Sequence, residues 1–317
     1  MLGTNKKLIS VVLPCHNEEG NVPLLYDRII EIWENYKEKY NLEIIFVNDA
    51  SKDNTWGEIK KLAEKDKRVK GISFSRNFMH PAALEAGINH AKGDAVIMMD
   101  ADLEKPPEMI HEFIQKWEEG YEIVNAQREN YDNVNFLKRI TSYGFYWLLN
   151  KISEIKIEPG TPDFRLVDKK VADALRNLKE REKFYRGLVN WVGFKKVVVR
   201  YKEQNRVYGQ PSYTWKKLIK LARIGILSFS FAPLKFTILF GVLQTFISGV
   251  FMIMGLISKF TPFKLFGDTG LLFSIIFFNS GVIMLAISAV SIYEIELLKT
   301  LRGRPSYIIS EKVNDEN

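Results

Sequence analysis

Two long runs without a charged residue constrain this 317-residue chain more than any other feature. Residues 236–258, FTILFGVLQTFISGVFMIMGLIS, hold no charge over 23 positions, and residues 269–293, TGLLFSIIFFNSGVIMLAISAVSIY, hold none over 25. As a helix, each is long enough to cross roughly 30 Å of bilayer hydrocarbon. A pair of buried core helices is the bland alternative, but two such runs in succession exceed ordinary helix lengths. The mean hydropathy of −0.11 hides them, because it averages across a sharp compositional break.

The flanks of these runs give an orientation. Lys216, Lys217, Lys220, Arg223 and Lys235 precede the first, and Lys299, Arg302 and Arg304 follow the second, while the connecting loop offers only Lys259 and Lys264. Basic residues stay on the cytoplasmic side, so the large N-terminal region and the C-terminal tail are expected there, with the loop outside. The net charge of +7 therefore gathers at the membrane. Anionic headgroups and a phosphorylated substrate explain it better than nucleic acid, for which no aromatic-interleaved basic stripe speaks. The one cysteine, Cys15, excludes an internal disulfide framework and fits a reducing compartment. The opening MLGTNKKLISVVLP has too short an apolar run, ended by proline, to read as a signal peptide.

The first hundred residues alternate between two periods. Leu8–Leu13, Leu42–Val47, Gly71–Phe74 and Ala95–Met99 read as strands; Val22, Leu25, Ile29 and Trp33 mark one helix face, and Thr55–Lys67 and Ala82–Ala91 read as further helices. Pro106 and Pro107 open another helix, MIHEFIQKWEEG. Residues 133–151 are aromatic-rich and amphipathic, suited to a membrane surface or to a sheet face. Lys195–Tyr201 reads as a strand and Tyr213–Ile226 as a basic helix leading to the membrane. The expectation is an α/β domain over 1–222 with a mainly parallel sheet, then a membrane domain over 223–317.

In such sheets ligands bind beyond the carboxyl ends of the strands. Polar clusters stand at four of those ends: VVLPCHNEEGNV, FVNDASKDNT, SFSRNF and MMDADLE. Singly, each has an ordinary reading as helix caps or turn residues. Together, carboxylates, amides and an arginine along one edge suit a metal-bound nucleoside diphosphate. No G-x-G-x-x-G follows a strand, no Walker loop occurs, and His16, His80, His90 and His111 lack zinc spacing.

These clusters, with GDAVIMMDADLEKPPE, DFRL, RGLVNWVGF and paired C-terminal spans, resemble the polyisoprenyl-phosphate glycosyltransferases, family-2 enzymes of GT-A fold. Bactoprenol glucosyltransferases and dolichol-phosphate mannose synthases belong to that group. The resemblance implies a metal motif of Asp100, Asp102 and Glu104 for Mg²⁺ or Mn²⁺. Glu104 stands where the family usually has glutamine, and Lys105 replaces a commoner Asp or His, balancing the extra carboxylate. It also implies a nucleotide pocket lined by Pro14, Asn17, Glu18, Glu19, Asn48, Asp49 and Asp100, with Arg76 and Arg128 for phosphate. The amide of Asn48, where the family often has Asp, matches a uracil edge better than guanine, which favours UDP.

Asp163 and Arg165 match the segment near the acceptor. Because a lipid phosphate is already ionised at neutral pH, Asp163 is assigned to positioning and Arg165 to the acceptor phosphate. Arg206 and Gly209 match a later basic loop, in which Pro211-Ser212 replaces the usual Ser-Lys. The expected activity is inverting transfer of a hexose from a UDP-sugar to undecaprenyl phosphate at the inner membrane face, by a multi-pass protein with a cytoplasmic catalytic domain. Homo-oligomerisation stays open. A processive polysaccharide synthase would usually carry Q-x-x-R-W, whose context Trp191 lacks; a silent nucleotide-sugar-binding partner of a lipid flippase would not need Asp100, Asp102 and Asp163.

The charge asymmetry makes the topology testable. A cysteine placed at Thr261 should react with a membrane-impermeant reagent from outside, and one at Ser310 should be spared; labelling at Ser310 alone would overturn the arrangement.

Overall fold

The computed structural model describes residues 6–129, 162–178, 180, 183–202, 268–301 and 303–315, with side chains at only part of 268–301. The proposed span 236–258, the amphipathic segment 133–151, the basic helix 213–226 and Arg206 lie outside them.

Four strands and four helices alternate first: β1 (Lys7–Cys15), α1 (Asn21–Trp33), β2 (Tyr40–Asn48), α2 (Thr55–Lys65), β3 (Val69–Phe74), α3 (His80–His90), β4 (Ala95–Met98) and α4 (Met109–Glu118). β5 (Ile123–Arg128), β6 (Arg165–Asp168), α5 (Lys169–Asn177), α6 (Tyr185–Trp191), β7 (Lys196–Tyr201), α7 (Asp268–Leu301) and β8 (Ile309–Val313) follow. The strands form one sheet in the order β7-β5-β6-β4-β1-β2-β3-β8. β3, β2, β1 and β4 run parallel, while β6 lies antiparallel to both β4 and β5, and β7 returns parallel to β5.

Position in the sheet explains each strand's composition. β1 is buried continuously from Ile9 to Cys15, as a central strand covered on both faces must be. β7, at one margin, exposes Lys196 and Arg200. α3 lies so close to β1 that a Cβ on Gly87 would stand 2.1 Å from Val12 Cγ1, so only glycine fits there. The first four expected strands and the helices between them are present. β5, β6, α5 and α6 go beyond the sequence reading.

The tail corrects the expected boundary. The expected membrane domain over 223–317 includes the tail, yet β8 pairs antiparallel with β3, Gly71 opposite Val313 and Ser73 opposite Glu311. Two compact units result: the sheet with its helices and the chain from Pro305 makes one, and α7 belongs to the other. β8 covers the β3 edge and itself presents Glu311 and Lys312, charges that discourage further strand pairing. Tyr307 stacks on Phe74 at 5.1 Å, and Trp56 Nε1 donates to Glu311 at 2.7 Å.

The 34-residue α7 runs through the expected second span, 269–293. Among the described residues, no helix is long and apolar enough to cross a membrane.

Asn314 closes the tail: at φ 53°, a conformation asparagine tolerates, its Nδ2 donates to the carbonyls of Ala63 and Val69. Asn314→Ala should weaken the β3–β8 pairing by about 1–3 kcal/mol, read as faster amide exchange on β8 with β1 unchanged. Equal exchange in variant and parent would show that the strand pairing alone holds the tail.

Candidate active site

The strand order fixes where a ligand can sit. The chain winds outward from β1 through β2 to β3, then crosses back to place β4 on the other side of β1. The carboxyl ends of β1 and β4 therefore flank a topological switch point, where loops diverge and leave a crevice. Each of the four tips carries one non-glycine residue in the left-handed region: Asn17 (φ 60°), Ala50 (φ 50°), Met79 (φ 78°) and Leu103 (φ 57°). Such conformations cost about 1–3 kcal/mol each and persist only where the surroundings impose them. All four lie on the edge where sheets of this kind bind ligands.

β4 ends at Met98, so Asp100 and Asp102 leave the sheet on a turn that Leu103 reverses. Asp100 takes a hydrogen bond from His80 Nε2 at 2.6 Å and an ion pair from Lys105 Nζ. Burial alone would raise the Asp100 carboxyl, but Lys105 and His80 hold it far below the ordinary carboxylate value. Burial pulls His80 and Lys105 downward in turn, and Asp100 outweighs it, so both are raised. Asp102, 8% exposed, accepts the Glu104 N–H at 3.2 Å.

The D-F-R segment arrives beside this turn because β6 pairs antiparallel with β4, Arg165 opposite Met98. Phe164 anchors it, packed edge-on against Phe113 at 4.9 Å. Asp163 then lies between two guanidiniums, Arg186 Nε at 3.1 Å and Arg165 Nη2 at 3.4 Å. Burial would raise the Asp163 carboxyl; Arg186 and Arg165 prevail and hold it below its ordinary value. Arg165 is 1% exposed, and burial lowers it to about 10, still charged at neutral pH.

Several expected roles change. Asn48 is 3% exposed and its amide is used internally: Nδ2 donates to Ser73 Oγ at 3.0 Å and Oδ1 accepts from Ser51 N and Oγ at 3.1 and 2.6 Å. It cannot read a base edge without breaking these bonds. Asp49 is buried too, accepting the Phe78 and Met79 N–H groups at 2.6 and 3.0 Å, and so fixes the third tip to the second. Arg165 turns inward to the Pro162 carbonyl at 2.8 Å, and Arg186 on α6 is the more accessible arginine beside Asp163. Lys105 pairs with Asp100.

Other expected residues sit at the edge as read. Asn17 accepts Lys52 N at 2.8 Å and Glu19 accepts Asn54 N at 2.8 Å, while the Glu18 N–H reaches Thr55 Oγ1 at 2.8 Å, lacing the first tip to the second. Pro14 is buried in β1 opposite Val47. Arg76 is exposed with its guanidinium 4.4 Å over the Phe78 ring, and Arg128 ends β5. His80 and Arg186 had no assigned role. His80 opens α3 directly after the S-R-N-F segment, and Arg186 lies inside the quoted R-G-L-V-N-W; only long-range pairing gives them meaning.

Asp102 and Glu104 stay two positions apart on the turn after β4. Among the described residues no group of three or more His, Cys, Asp or Glu is arranged to hold a metal alone. Mg²⁺ and Mn²⁺ sites are commonly completed by substrate phosphates over one or two carboxylates, the donor type that Asp102 and Glu104 would offer.

The internal use of Asn48 has a measurable outcome. Asn48→Ala should cost about 1–3 kcal/mol of folding stability, because it strands buried partners on Ser51 and Ser73. Calorimetry should find the ratio of UDP to GDP affinity changed less than about threefold, below one pK-unit equivalent. A tenfold change would return Asn48 to base recognition.

The sequence model described as Glycosyl transferase family 2 matches residues 10–176. The chain is 40% identical over 309 residues to the uncharacterized glycosyltransferase YkcC of Bacillus subtilis (strain 168), covering 97% of this chain and 95% of that one. It is 39% identical over 306 residues to the SfII prophage-derived bactoprenol glucosyl transferase of Shigella flexneri, covering 96% and 97%. Among solved structures, the mannosyltransferase PcManGT from Pyrobaculum calidifontis, in complex with GDP-Man and Mn²⁺, aligns over 71% of this chain and 63% of that one, with 16% identity and a TM-score of 0.45. With a family match over more than half its length and near-40% relatives along almost all of it, the chain belongs to glycosyl transferase family 2, and it is a glycosyltransferase whose mixed, mainly parallel sheet is of GT-A type.

Proposed function

We propose that this glycosyltransferase moves a glucosyl group from a nucleoside diphosphate sugar, UDP-glucose in our reading, to a polyprenyl phosphate at the cytoplasmic membrane face. The observation that carries the acceptor class is the clamp on Asp163. A carboxylate held between Arg165 and Arg186, with its pKa depressed, is a poor general base. A sugar hydroxyl as acceptor would need a base, whereas a phosphate monoester is ionised near pH 7, with a second pKa near 6. The bactoprenol glucosyl transferases among the relatives support the same acceptor.

In this reaction an acceptor phosphate oxygen forms a bond to the anomeric carbon while the bond from that carbon to the diphosphate oxygen breaks. The electron pair leaves with the nucleoside diphosphate, and a single displacement inverts the centre. Asp163, fixed by its arginines, orients the sugar or acceptor without taking a proton, and Arg186 is the accessible cation for an incoming phosphate. Asp102 and Glu104 would hold the divalent cation, which when bound neutralises charge developing on the departing diphosphate.

The membrane reading rests on the two charge-free runs, the second of which falls within α7. Because β8 rejoins the sheet built by the first two hundred residues, a chain that enters a bilayer between residues 202 and 309 crosses it an even number of times. Two spans, 236–258 and 269–293, satisfy that condition with the catalytic domain and tail on one side.

Transfer of radiolabelled glucose from UDP-glucose into a lipid phase containing polyprenyl phosphate tests the reading; no label in lipid with either UDP- or GDP-sugars would defeat it. Chelation by EDTA should abolish the transfer and Mn²⁺ restore it. Asp102→Asn should lose about 10²-fold or more in rate, comparable to removing other preorganised electrostatic groups. Asp163→Asn should lose less. Its lowered pKa keeps Asp163 ionised throughout pH 6–9, so any decline towards pH 6 should track the acceptor phosphate and persist in the variant. A decline that vanishes in Asp163→Asn would make Asp163 a base.

A further inference from the structure

We infer that Glu85 on α3, through its buried ion pair with Lys183, is a positioning residue that sets the start of α6 and with it the place of Arg186 beside Asp163. Its role rests on the reading above of Arg186 as the cation accessible to the acceptor phosphate.

α6 has little of its own to hold it. It spans seven residues, and no side chain caps its N-terminus at Phe184. A helix that short is marginal by itself, so its place comes from what it packs against. Tyr185, Leu188 and Val189 are buried and hold its body, but apolar burial is non-directional and fixes neither rotation nor register. A charged group with set partners supplies the direction.

That group is Lys183, just before α6. It is 4% exposed, and its Nζ donates to the Leu175 carbonyl in the last turn of α5 at 3.0 Å and lies 3.2 Å from Glu85 Oε1. Glu85, 8% exposed, stands in the middle of α3. One ammonium therefore joins the end of α5, the middle of α3 and the approach to α6. The frame it reaches is fixed independently, because Arg176 on α5 donates from Nε and Nη2 to the carbonyls of Ile88 and Ala91 at 2.9 and 2.6 Å. Within the next turn of chain Arg186 sets its Nε 3.1 Å from Asp163.

A buried ion pair adds little net stability, since desolvation offsets its attraction, and an apolar pair of similar volume would fill the core as well. What the pair adds is a fixed geometry. Without the Glu85 carboxylate the Lys183 ammonium is stranded and must turn towards water, which draws the approach to α6 with it and swings Arg186 away from Asp163. The acceptor phosphate then loses an oriented cation, while the tips of β1 and β2 keep their own hydrogen bonds.

Calorimetric titration of the full chain with a short polyprenyl phosphate, and separately with UDP, tests this without turnover. Glu85→Gln should weaken polyprenyl phosphate binding about tenfold, short of the roughly 10²-fold that a misplacement of about 1 Å can cost a reaction. UDP affinity should stay close to wild type. Lys183→Met should behave like Glu85→Gln, and Lys183→Arg, which keeps the charge and the donors, should bind as wild type. On an Arg186→Gln background, Glu85→Gln should add nothing, because both act through one contact. Equal losses for UDP and polyprenyl phosphate, or an additive loss on that background, would make the pair a general support of the fold and overturn the inference. Should Glu85→Gln fail to fold, Glu85→Gln/Lys183→Met decides, since it strands no buried charge; wild-type affinity for polyprenyl phosphate in that pair defeats the assignment. Arg186→Gln alone separates this role from the reading beneath it. If it weakens binding and Glu85→Gln does not, only the role of Glu85 falls; if it binds as wild type, the phosphate role of Arg186 falls and that of Glu85 with it.

Discussion

The antiparallel pairing of β6 with β4 is the constraint on which the rest of the site depends. β4 delivers Asp100 and Asp102 at the carboxyl edge of the parallel strands, and the register that sets Arg165 opposite Met98 brings Asp163 to the same edge from more than sixty residues away. A slip of one residue would turn Arg165 and the buried Leu166 to opposite faces and separate the two carboxylate groups. The apolar residues of both strands, fully buried, oppose any such slip.

Electrostatics follow from that placement. The site gathers carboxylates at the strand ends, where partial burial makes isolated charges costly, and two of them meet cations: Lys105 for Asp100, Arg165 and Arg186 for Asp163. The result is a set of pre-ionised, pre-oriented groups with little proton affinity to spare. Such a site suits a reaction whose nucleophile and leaving group are both phosphate oxygens, and it accounts for the absence of a role for a general base in the mechanism proposed above.

The return of the tail as β8 ties the end of the chain to the strand whose tip walls the crevice. Tyr307 lies on Phe74, Phe74 meets Phe78 edge-on at 5.8 Å, and Phe78 is held through its N–H by Asp49. The third tip, with Arg76 and Asn77, is therefore braced from both sides by residues far apart in sequence. This bracing also explains why the amide of Asn48 and the carboxylate of Asp49 are consumed internally: they join tips to one another.

Local pattern carries only part of this architecture. Apolar runs and helical periodicity located the first four strands and the helices between them, and the strand-tip motifs located the edge where Asp100, Asp102 and the Asn17–Glu19 segment lie. The charge-free runs fixed the membrane expectation, and the motif set fixed the family. Pairing between distant segments depends on the folded chain. β6 and β8 are short and bear charge, so their strand character comes from partners on β4 and β3 rather than from their own pattern. Asn48 and Arg165 looked like ligand contacts because residue type shows hydrogen-bonding capacity but not whether a neighbour has already used it. His80, Lys105 and Arg186 gained their places only when the folded chain set them against carboxylates, since an ion pair is a property of distance and burial, and neither is written in a linear order of residues.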